Sequence, residues 1–432
     1  MVKEELILKL LDELELKKPK YQKLQDYYEG NHKILHDKSK VDNTRHDERT
    51  YFNYCRKTVQ NYTGYLLGKP INYSSKSGNK EFLDTIDKYF SHWEKDHNIN
   101  LKQLTEVFGL AYEVSYVDKE GEFQSTYFSP LEMIVLHDGS IDRNVSLAVR
   151  KYYKPYDETE YVDVWDIDFY TTYVLKGRDL VQLEQKKHLF SRCPVSEVPN
   201  NELKKSAFED IVRIVDIYNN IHSTAANEIL DHRSAYLVIE NAELSPEEAV
   251  KMKENGILIV PQGSKVYWAT KNINGSFVKD MLKDWQDEIY IQTNQVNLNE
   301  NFQSNTSGVS IRLKLQELEN ISAIKETIFE KAIRKRLRLF CEWLKIAQNK
   351  EYDYRDISIS FVRNVPVDEK AIADMVVQLQ GILPNEELIT WLPRVTNPNA
   401  SIEKLALERE TSSLSMDLNE NQLIDGEPSE QT

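Results

Sequence analysis

Three closely spaced aspartates raise the question of metal chemistry. Asp163, Asp166 and Asp168 lie in the segment YVDVWDIDFY, and carboxylates are the ligands that hard divalent ions prefer. Alternation along a strand over residues 161–170, however, puts Asp166 and Asp168 on the face opposite Trp165. We therefore interpret these aspartates as a solvated strand face and expect no metal site. A metal-dependent nuclease or other processing enzyme that uses the three aspartates remains the alternative.

Other catalytic patterns are absent from the sequence. The stretch GYLLGKP, residues 64–70, has only three residues between its glycines, and Pro70 stands where a phosphate loop needs Ser or Thr. None of the nine histidines forms an HExxH motif, and no GxSxG or GxGxxG occurs. We therefore expect no catalytic residue and no cofactor.

A basic run lies late in a long predicted helix. It consists of Arg334, Lys335, Arg336 and Arg338. Cations near a helix C-terminus interact favourably with the helix dipole, and ion pairs with neighbouring side chains would account for the run. Contact with a DNA phosphate backbone or with a neighbouring subunit is the alternative interpretation.

A polar segment, NLNENFQSNTSG, separates two predicted helices over residues 297–308. Its Asn and Ser side chains hydrogen-bond to nearby backbone and favour turns over helix, and its only charge is Glu300. An ordinary surface loop has this composition, and so does a loop that lies near a polyanion without adhering to it. In the second case the candidate DNA-facing side chains are Asn297, Asn299, Asn301, Gln303, Ser304, Asn305 and Thr306.

The two flanking helices carry apolar stripes. The first has an apolar side chain at every fourth position, at Phe277, Met281, Trp285 and Ile289. The second has apolar residues at Ile311, Leu315, Leu318, Ile321, Ile324, Ile328 and Ala332. If it continues to Lys345, the second helix has about 35 residues and spans roughly 50 Å. A helix this long usually crosses a whole domain or lines a subunit interface.

Patterns elsewhere predict an α+β protein. The first hundred residues read as helices, broken at Pro19 into 2–16 and 21–29, with a later helix over 101–111. From Ala111 to about Phe190 the apolar period becomes two, which predicts an antiparallel sheet. A helix over 206–233, an α/β stretch over 234–274, a short strand over 357–362 and helices over 368–380, 385–392 and 401–409 complete the pattern. The last twenty residues carry five acids and no base, which is typical of a disordered, solvated tail.

The bulk composition excludes several classes. With 55 basic and 70 acidic residues among 432, the formal charge of −15 argues against a conventional DNA-binding protein with a basic face. Three widely spaced cysteines form neither a disulfide framework nor a metal motif, which favours a reducing environment. The charged N-terminus lacks a signal-peptide core, and no apolar run is long enough for a membrane span.

Five segments in order carry a resemblance to a known family. They are YYEGNHKIL (27–35), NYCRKTVQNYTGYLLGKPINY (53–73), VPNNELKKSAFEDIVRIVDIYNNIHS (198–223), SGVSIRLKLQELENISAIKETIFEKAI (307–333) and ISFVRNVPVDEKAIADMVVQLQGIL (359–383). Together they resemble the portal, or head-to-tail connector, proteins of long-tailed double-stranded DNA phages that infect Gram-positive hosts. The sequence departs from the family at Lys204 and Lys205, where a Gly-containing turn is common, and at residues 384–386, where Ser and Thr are common.

The resemblance implies a portal-type subunit in a ring of about twelve copies. Its parts would be a wing (1–205), a first stem helix (206–233), a clip (234–274), a second stem helix (275–296), a tunnel loop (297–308), a long helix returning to the wing (309–347), a wing strand (348–366), a helical crown (367–412) and an acidic tail (413–432).

The resemblance also implies a structural, non-enzymatic function. Such a ring sits at one vertex of the capsid in the virion, after assembly in the host cytoplasm, and double-stranded DNA passes through it. Implied partners are the terminase large subunit, a head-completion or adaptor protein, and the major capsid and scaffolding proteins. Twelve copies at −15 sum to −180, a charge that would repel DNA phosphate from an anionic lining. A minor capsid scaffold without a tunnel is a further alternative.

Overall fold

The structure is a computed structural model that describes residues 4–37, 46–232, 236–241, 245, 247, 250–251, 260–269, 275–297, 315–363, 369–392, 395, 401–402 and 404–408. The chain divides into a large unit, residues 1–364, and a small unit, residues 365–432.

The helices of the large unit are, in order, α1 (Glu4–Glu29), α2 (Tyr54–Leu67), α3 (Lys80–Phe90), α4 (Glu94–Phe108), α5 (Val212–His232), α6 (Gly275–Gln292) and α7 (Gln316–Ala347). The strands are β1 (Asn72–Ser75), β2 (Leu110–Val117), β3 (Phe123–Phe128), β4 (Met133–His137), β5 (Val145–Tyr153), β6 (Glu160–Trp165), β7 (Phe169–Lys176), β8 (Asp179–Lys187), β9 (Val195–Pro199), β10 (Tyr236–Glu240), β11 (Lys265–Ala269) and β12 (Ile357–Ser360). Single-turn 3-10 helices lie at Lys33–His36, Glu209–Ile211 and Tyr354–Asp356.

Two of the predicted N-terminal boundaries are wrong. Pro19 does not break the first helix, because α1 runs through it with Leu14, Tyr21 and Leu24 buried on both sides. Packing of this continuous apolar face outweighs the hydrogen bond that the proline removes. The helix predicted over 101–111 instead begins at Glu94 and ends at Phe108, where the left-handed Gly109 leads into β2.

The antiparallel region forms two sheets. One has the order β3-β2-β9 and the other the order β4-β5-β6-β7-β8, and all their pairings are antiparallel, as the period of two predicts. One face of the five-stranded sheet packs against α1, where Ile7 and Leu11 meet Val149 and Val162. β1 pairs with β12, and β10 pairs with β11, in two further antiparallel ladders.

Two larger cores lie beside that layer. The first joins α1, α2, α5 and α6, with Val59, Val215 and Ile289 among its buried side chains. The second packs the C-terminal half of α7 against α3 and β3, and Phe340 stands at its centre beside Phe90 and Phe123. The C-terminal half of α7 is therefore buried within the large unit.

An extended segment, residues 46–53, is fastened along α5 by side chains one helical turn apart. Each of three α5 side chains accepts a hydrogen bond from an alternate backbone amide of the segment. The bonds run from Glu48 to Asn227, Thr50 to Ser223 and Phe52 to Asn219, at 2.7, 3.0 and 2.9 Å. Asn227 and Ser223 also donate to the carbonyls of Glu48 and Thr50. These side chains satisfy the backbone as a neighbouring strand would.

Gly109 supports a prediction about backbone strain. Its φ is 84°, and a Cβ there would lie 2.2 Å from the carbonyl oxygen of Lys204. We expect Gly109→Ala to destabilise the protein by about 3 kcal/mol, because the left-handed backbone and the clash each cost about 1–2 kcal/mol or more. Gly64→Ala is the control: it is helical with open space around it, and should stabilise by about 0.5–1 kcal/mol. Urea denaturation midpoints of the two variants should move in opposite directions, and an unchanged Gly109→Ala midpoint would contradict the argument.

The small unit contains α8 (Glu369–Leu379) and α9 (Asn385–Thr390), the latter preceded by Pro384. Residues 401–402 and 404–408 are also helical. Predicted helices in this part of the chain are therefore present within its described residues. The predicted acidic tail, and much of the α/β stretch predicted over 234–274, lie outside the described residues.

Candidate functional site at the ends of the polar segment

The polar segment is described only at its first residue, Asn297. Residues 298–314 lie outside the described part of the chain, so Asn297 is the one candidate DNA-facing residue that the structure includes. The positions of Asn299, Asn301, Gln303, Ser304, Asn305 and Thr306 stay predictions. Both flanks are described, and both are held by the same helix, α2.

The preceding flank ends in a turn. The predicted helix over 275–296 stops at Gln292, because Asn294 adopts a left-handed φ of 50° and the amide of Gln295 bonds back to the Tyr290 carbonyl at 2.9 Å. Of its predicted stripe, Ile289 is buried and Trp285 packs on the core, whereas Phe277 is 60% exposed.

α2 binds this turn through four side-chain hydrogen bonds. The Tyr62 hydroxyl donates to the Thr293 carbonyl at 2.6 Å. The Gln295 side-chain amide accepts from Asn61 at 2.9 Å and donates to the Thr58 carbonyl at 3.0 Å. Lys57 Nζ donates to the Tyr290 hydroxyl at 2.7 Å. The chain is thus fixed to α2 just before the polar segment begins.

α2 also binds the start of α7, where the chain returns. The Tyr65 hydroxyl donates to the Glu319 carboxylate, and Arg363 Nε lies 3.0 Å from the same carboxylate. Another nitrogen of the same guanidinium lies 2.6 Å from Glu326 Oε2, about two helical turns further along α7. The positive charge of Arg363 is therefore shared by two carboxylates on one face of α7.

These contacts place the two flanks close together along α2. Asn61 holds the preceding flank and Tyr65 the following flank, four residues or about 6 Å apart along the axis. Both residues lie on one helical face, because positions i and i+4 are neighbours. The chain therefore leaves α2 at Gln295 and returns to it at Glu319, within about one turn of the same helix.

A buried charge cluster continues this anchorage into α4. Lys325, two turns after Glu319, lies with its Nζ 2.6 Å from Glu106 Oε2, and Lys102 Nζ is 3.0 Å from Oε1 of the same carboxylate. Lys325 Nζ also sits 3.4 Å from the centroid of the Tyr62 ring, a cation–π contact. All three charged side chains are buried.

The pKa values in this cluster reflect two ammonium groups around one carboxylate. Burial alone would raise the pKa of Glu106, but Lys102 and Lys325 lower it overall. Burial lowers the pKa of Lys325 to about 8, although Glu106 opposes this shift. Glu106 is therefore ionised at neutral pH, and its charge offsets part of the cost of burying the Lys325 ammonium group.

Glu106 also fastens the entrance to α5. Its backbone carbonyl accepts from the amide of Ala207 at 2.8 Å and from the Ser206 hydroxyl at 3.1 Å. α5 in turn packs against α6, and Tyr54 of α2 lies between them, with ring centroids 5.4 Å from Tyr218 and 6.1 Å from Tyr290. The helix pair and the polar segment are thus attached to one framework made of α2 and α4.

The basic run is largely engaged within the subunit. Arg336 is only 1% exposed, and its guanidinium binds Glu113 at 2.6 Å and Glu94 at 3.0 Å, so it does not present its charge to a phosphate backbone. Arg334 pairs with Glu330, and Arg338 lies 3.9 Å from Glu342. Lys335 is exposed. The three arginines therefore form ion pairs within the subunit. A contact of Lys335 with DNA or with a neighbouring subunit stays a prediction.

The aspartate group does not form the predicted strand face. β6 ends at Trp165, and the chain reverses at Asp166, whose Oδ1 accepts the amides of Asp168 and Phe169 at 2.8 and 2.7 Å. Asp163 is buried rather than solvated, and burial raises its pKa although Thr172 donates a 2.8 Å hydrogen bond to it. Within the described residues, no group of three or more His, Cys, Asp or Glu is arranged to hold a metal ion.

Sequence reasoning missed the buried charges because it predicted the buried face of α7 only in part. Of the predicted stripe, Leu318 and Ala332 are buried, whereas Ile324 is 56% exposed. The buried face also contains Ser322, Lys325 and Phe329. A lysine can occupy this face because Glu106 compensates its charge. The available signal was that Leu318 and Phe329 share a helical face with Lys325.

Comparison with known proteins places the chain among the phage portal proteins. It belongs to the family described as phage portal protein, SPP1 Gp6-like, which it matches over residues 7–413. It is 24% identical over 396 residues to a portal protein of Bacillus phage SPP1, covering 85% of this chain and 77% of the relative. It is 23% identical over 398 residues to a portal protein of Clostridium phage phiCD119, covering 84% of this chain and 85% of the relative. The resemblance to portal proteins is therefore confirmed.

Proposed function

We propose that this protein is the structural subunit of a portal ring at one capsid vertex, through which double-stranded DNA passes. The observation that carries the proposal beyond family membership is the anchorage of the polar segment. The segment follows α6, which packs against α5, and the described flanks before and after it are both bound to α2. In this proposal α5 and α6 are the two stem helices, residues 297–308 are the tunnel loop and α7 is the long helix that returns to the wing.

The composition of the segment suits such a tunnel. Glu300 is its only charged residue, so the segment offers no cation to hold a phosphate. The chain as a whole carries a formal charge of −15, which favours passage of DNA over capture. Among the described residues, no helix combines the length and apolar character needed to span a bilayer.

The partners follow from this position. A subunit of the ring would contact its own copies, the terminase large subunit during packaging, a head-completion or adaptor protein afterwards, and the capsid and scaffolding proteins. We assign these docking roles to residues 234–274, the proposed clip, and to the outer surface of the wing. The chemistry of packaging would belong to the terminase, and the ring itself would be non-enzymatic.

Native mass spectrometry of the purified protein, followed by electron microscopy of the oligomer, tests the ring directly. We expect a closed ring of about twelve subunits with a central channel. A ring without a DNA-sized hole would favour a minor capsid scaffold instead. A monomer or dimer that stays so in the presence of scaffolding protein would contradict the proposal.

Deleting residues 299–305 tests the assigned role of the polar segment. Because the described contacts of both flanks lie outside this range, we expect rings to assemble normally while DNA packaging or retention falls sharply. Packaged DNA per particle, measured after complementation of a phage that lacks its own portal gene, is the readout. Replacing residues 299–305 by a Gly/Ser sequence of the same length is the matched control for loop length. Normal packaging by the deletion variant would refute the tunnel-loop assignment.

A further inference from the structure

One face of α2 carries the groups that bind the two described flanks of the polar segment. Lys57, Asn61 and Tyr65 are spaced by four residues, and Thr58 and Tyr62 follow the same spacing beside them. Side chains with this spacing form adjacent rows on one side of a helix. The side chains of Lys57, Asn61 and Tyr62 bind the flank before the segment, and Thr58 adds its backbone carbonyl. The Tyr65 side chain binds the flank after the segment.

The two tyrosines have different kinds of acceptor. Tyr62 is buried, and its hydroxyl binds a backbone carbonyl, Thr293 O, inside the turn that ends α6. Tyr65 is half-buried, and its hydroxyl binds a carboxylate, Glu319, in the first turn of α7. Burial and the Glu319 hydrogen bond both raise the pKa of Tyr65, so its hydroxyl remains a donor at neutral pH. A hydrogen bond to a carboxylate is stronger than one between neutral groups.

The same face connects the two flanks to the rest of the subunit. Lys325 of α7 lies over the Tyr62 ring and pairs with Glu106 of α4, whose carbonyl binds Ser206 and Ala207 at the entrance to α5. Tyr62 therefore touches the flank before the segment through its hydroxyl and the α7 charge cluster through its ring. A displacement of either flank would disturb contacts to the other.

We propose that Tyr62 and Tyr65 are positioning residues, which fix the two described flanks of the polar segment relative to each other and to α5. This inference rests on the proposed function of the segment as the DNA-facing loop. Neither side chain need touch DNA. Their role is to keep the points at which the segment leaves and rejoins α2 about one helical turn apart, so that every subunit of a ring presents the segment in the same way.

The test is the double variant Tyr62→Phe with Tyr65→Phe, which removes two hydroxyl oxygens and keeps both rings. Tyr28→Phe is the matched control, because its hydroxyl accepts a 2.7 Å hydrogen bond from Gln103 and contacts neither flank of the segment in the described structure. Hydrogen–deuterium exchange of the full-length protein is followed in peptides that cover residues 290–297 and 315–322. DNA packaging is measured by complementation with the same variants.

We expect exchange in both peptides of the double variant to rise about tenfold or more, since each lost bond stabilised the closed state of its flank. The control should exchange as the wild type does. Packaged DNA per particle should fall in the double variant while ring assembly stays normal. Unchanged exchange in the two flanks of an assembled ring would overturn the inference.

The packaging measurement tests the positioning role of the two tyrosines separately from the tunnel-loop role of the segment. If the double variant exchanges faster but packages normally, while deletion of residues 299–305 blocks packaging, the positioning role is refuted and the tunnel loop stands. If neither change affects packaging, the tunnel loop itself is refuted, and the positioning role falls with it. A packaging defect in both, with faster exchange only in the double variant and not in Tyr28→Phe, supports the inference.

Discussion

Arg336→Met is expected to lower the free energy of unfolding by about 3–5 kcal/mol, because it removes the cation from a buried ion cluster. Arg336 binds Glu113, Glu94 and the side-chain oxygen of Asn98, the last at 2.7 Å. The cluster joins α7 to α4 and β2, both of which lie more than 200 residues before Arg336 in the sequence. Methionine fills a similar volume but leaves both carboxylates without their guanidinium partner.

Arg338→Met is the control for this prediction. It lies two residues away on the same helix, its side chain is 43% exposed, and its carboxylate partner Glu342 is 3.9 Å distant. An exposed pair of this kind contributes about 0–1 kcal/mol. Urea denaturation followed by tryptophan fluorescence measures both variants. Equal losses in the two would contradict the assignment of Arg336 to a buried cluster.

The pH dependence of Arg336→Met follows from one of these carboxylates, Glu113. Burial opposes ionisation of Glu113, but Arg336 and His97 lower its pKa below the ordinary value of 4.5. A carboxyl whose pKa is lowered by folding contributes stability above its unfolded pKa and loses it as the pH falls through the folded value. We therefore expect the difference in stability between wild type and Arg336→Met to be largest at neutral pH and to shrink below about pH 4.5. A difference that grows with acidity would contradict this sign.

Glu106→Gln is expected to destabilise the protein by a similar amount, about 3–5 kcal/mol, because it leaves two buried ammonium groups without a counter-charge at 2.6 and 3.0 Å. Glutamine preserves the shape of the side chain, so the effect reports charge rather than packing. Glu351→Gln is the control, since Glu351 is exposed and pairs only with the exposed Lys345 among its described contacts. The control should lose less than about 1 kcal/mol.

A double variant measures how strongly Glu106 and Lys325 stabilise each other. In Glu106→Gln with Lys325→Met, one of the two uncompensated charges is removed together with the carboxylate. We expect the double variant to be more stable than Glu106→Gln alone, because residues of one ion cluster are energetically coupled. Urea midpoints of the single and double variants measure the coupling. Additive losses would show that Lys325 and Glu106 do not stabilise each other.

These variants also bear on the proposed function. Glu106 connects the start of α7 to the entrance of α5, so its loss should loosen both the return of the polar segment and the first proposed stem helix. Arg336 lies farther along α7, among the α4 and β2 contacts. A comparison of Glu106→Gln with Arg336→Met therefore distinguishes a general loss of stability from a local loosening of the flank after the segment. Only Glu106→Gln should accelerate hydrogen–deuterium exchange selectively in residues 315–322.

Much of the architecture was predictable because its signals are local. The period of two after Ala111 predicted antiparallel strands, and an uninterrupted helical pattern predicted a long helix to Lys345, close to its observed end at Ala347. Five ordered segments also identified the family, which residues 7–413 match. Local errors arose at two turns, each of which ends an element earlier than the apolar pattern indicates. At Asp166 the side chain accepts nearby backbone amides, and at Asn294 the backbone is left-handed.

The sequence alone determined the α+β class, the order of the elements and the family, since these depend on spacing within short windows. Tertiary structure alone decided which charges are buried and which helix holds the polar segment. Lys325 and Glu106 are 219 residues apart, and Tyr65 and Glu319 are 254 apart. No local period encodes such pairs, because a buried lysine is stable only when folding brings its carboxylate within hydrogen-bonding distance.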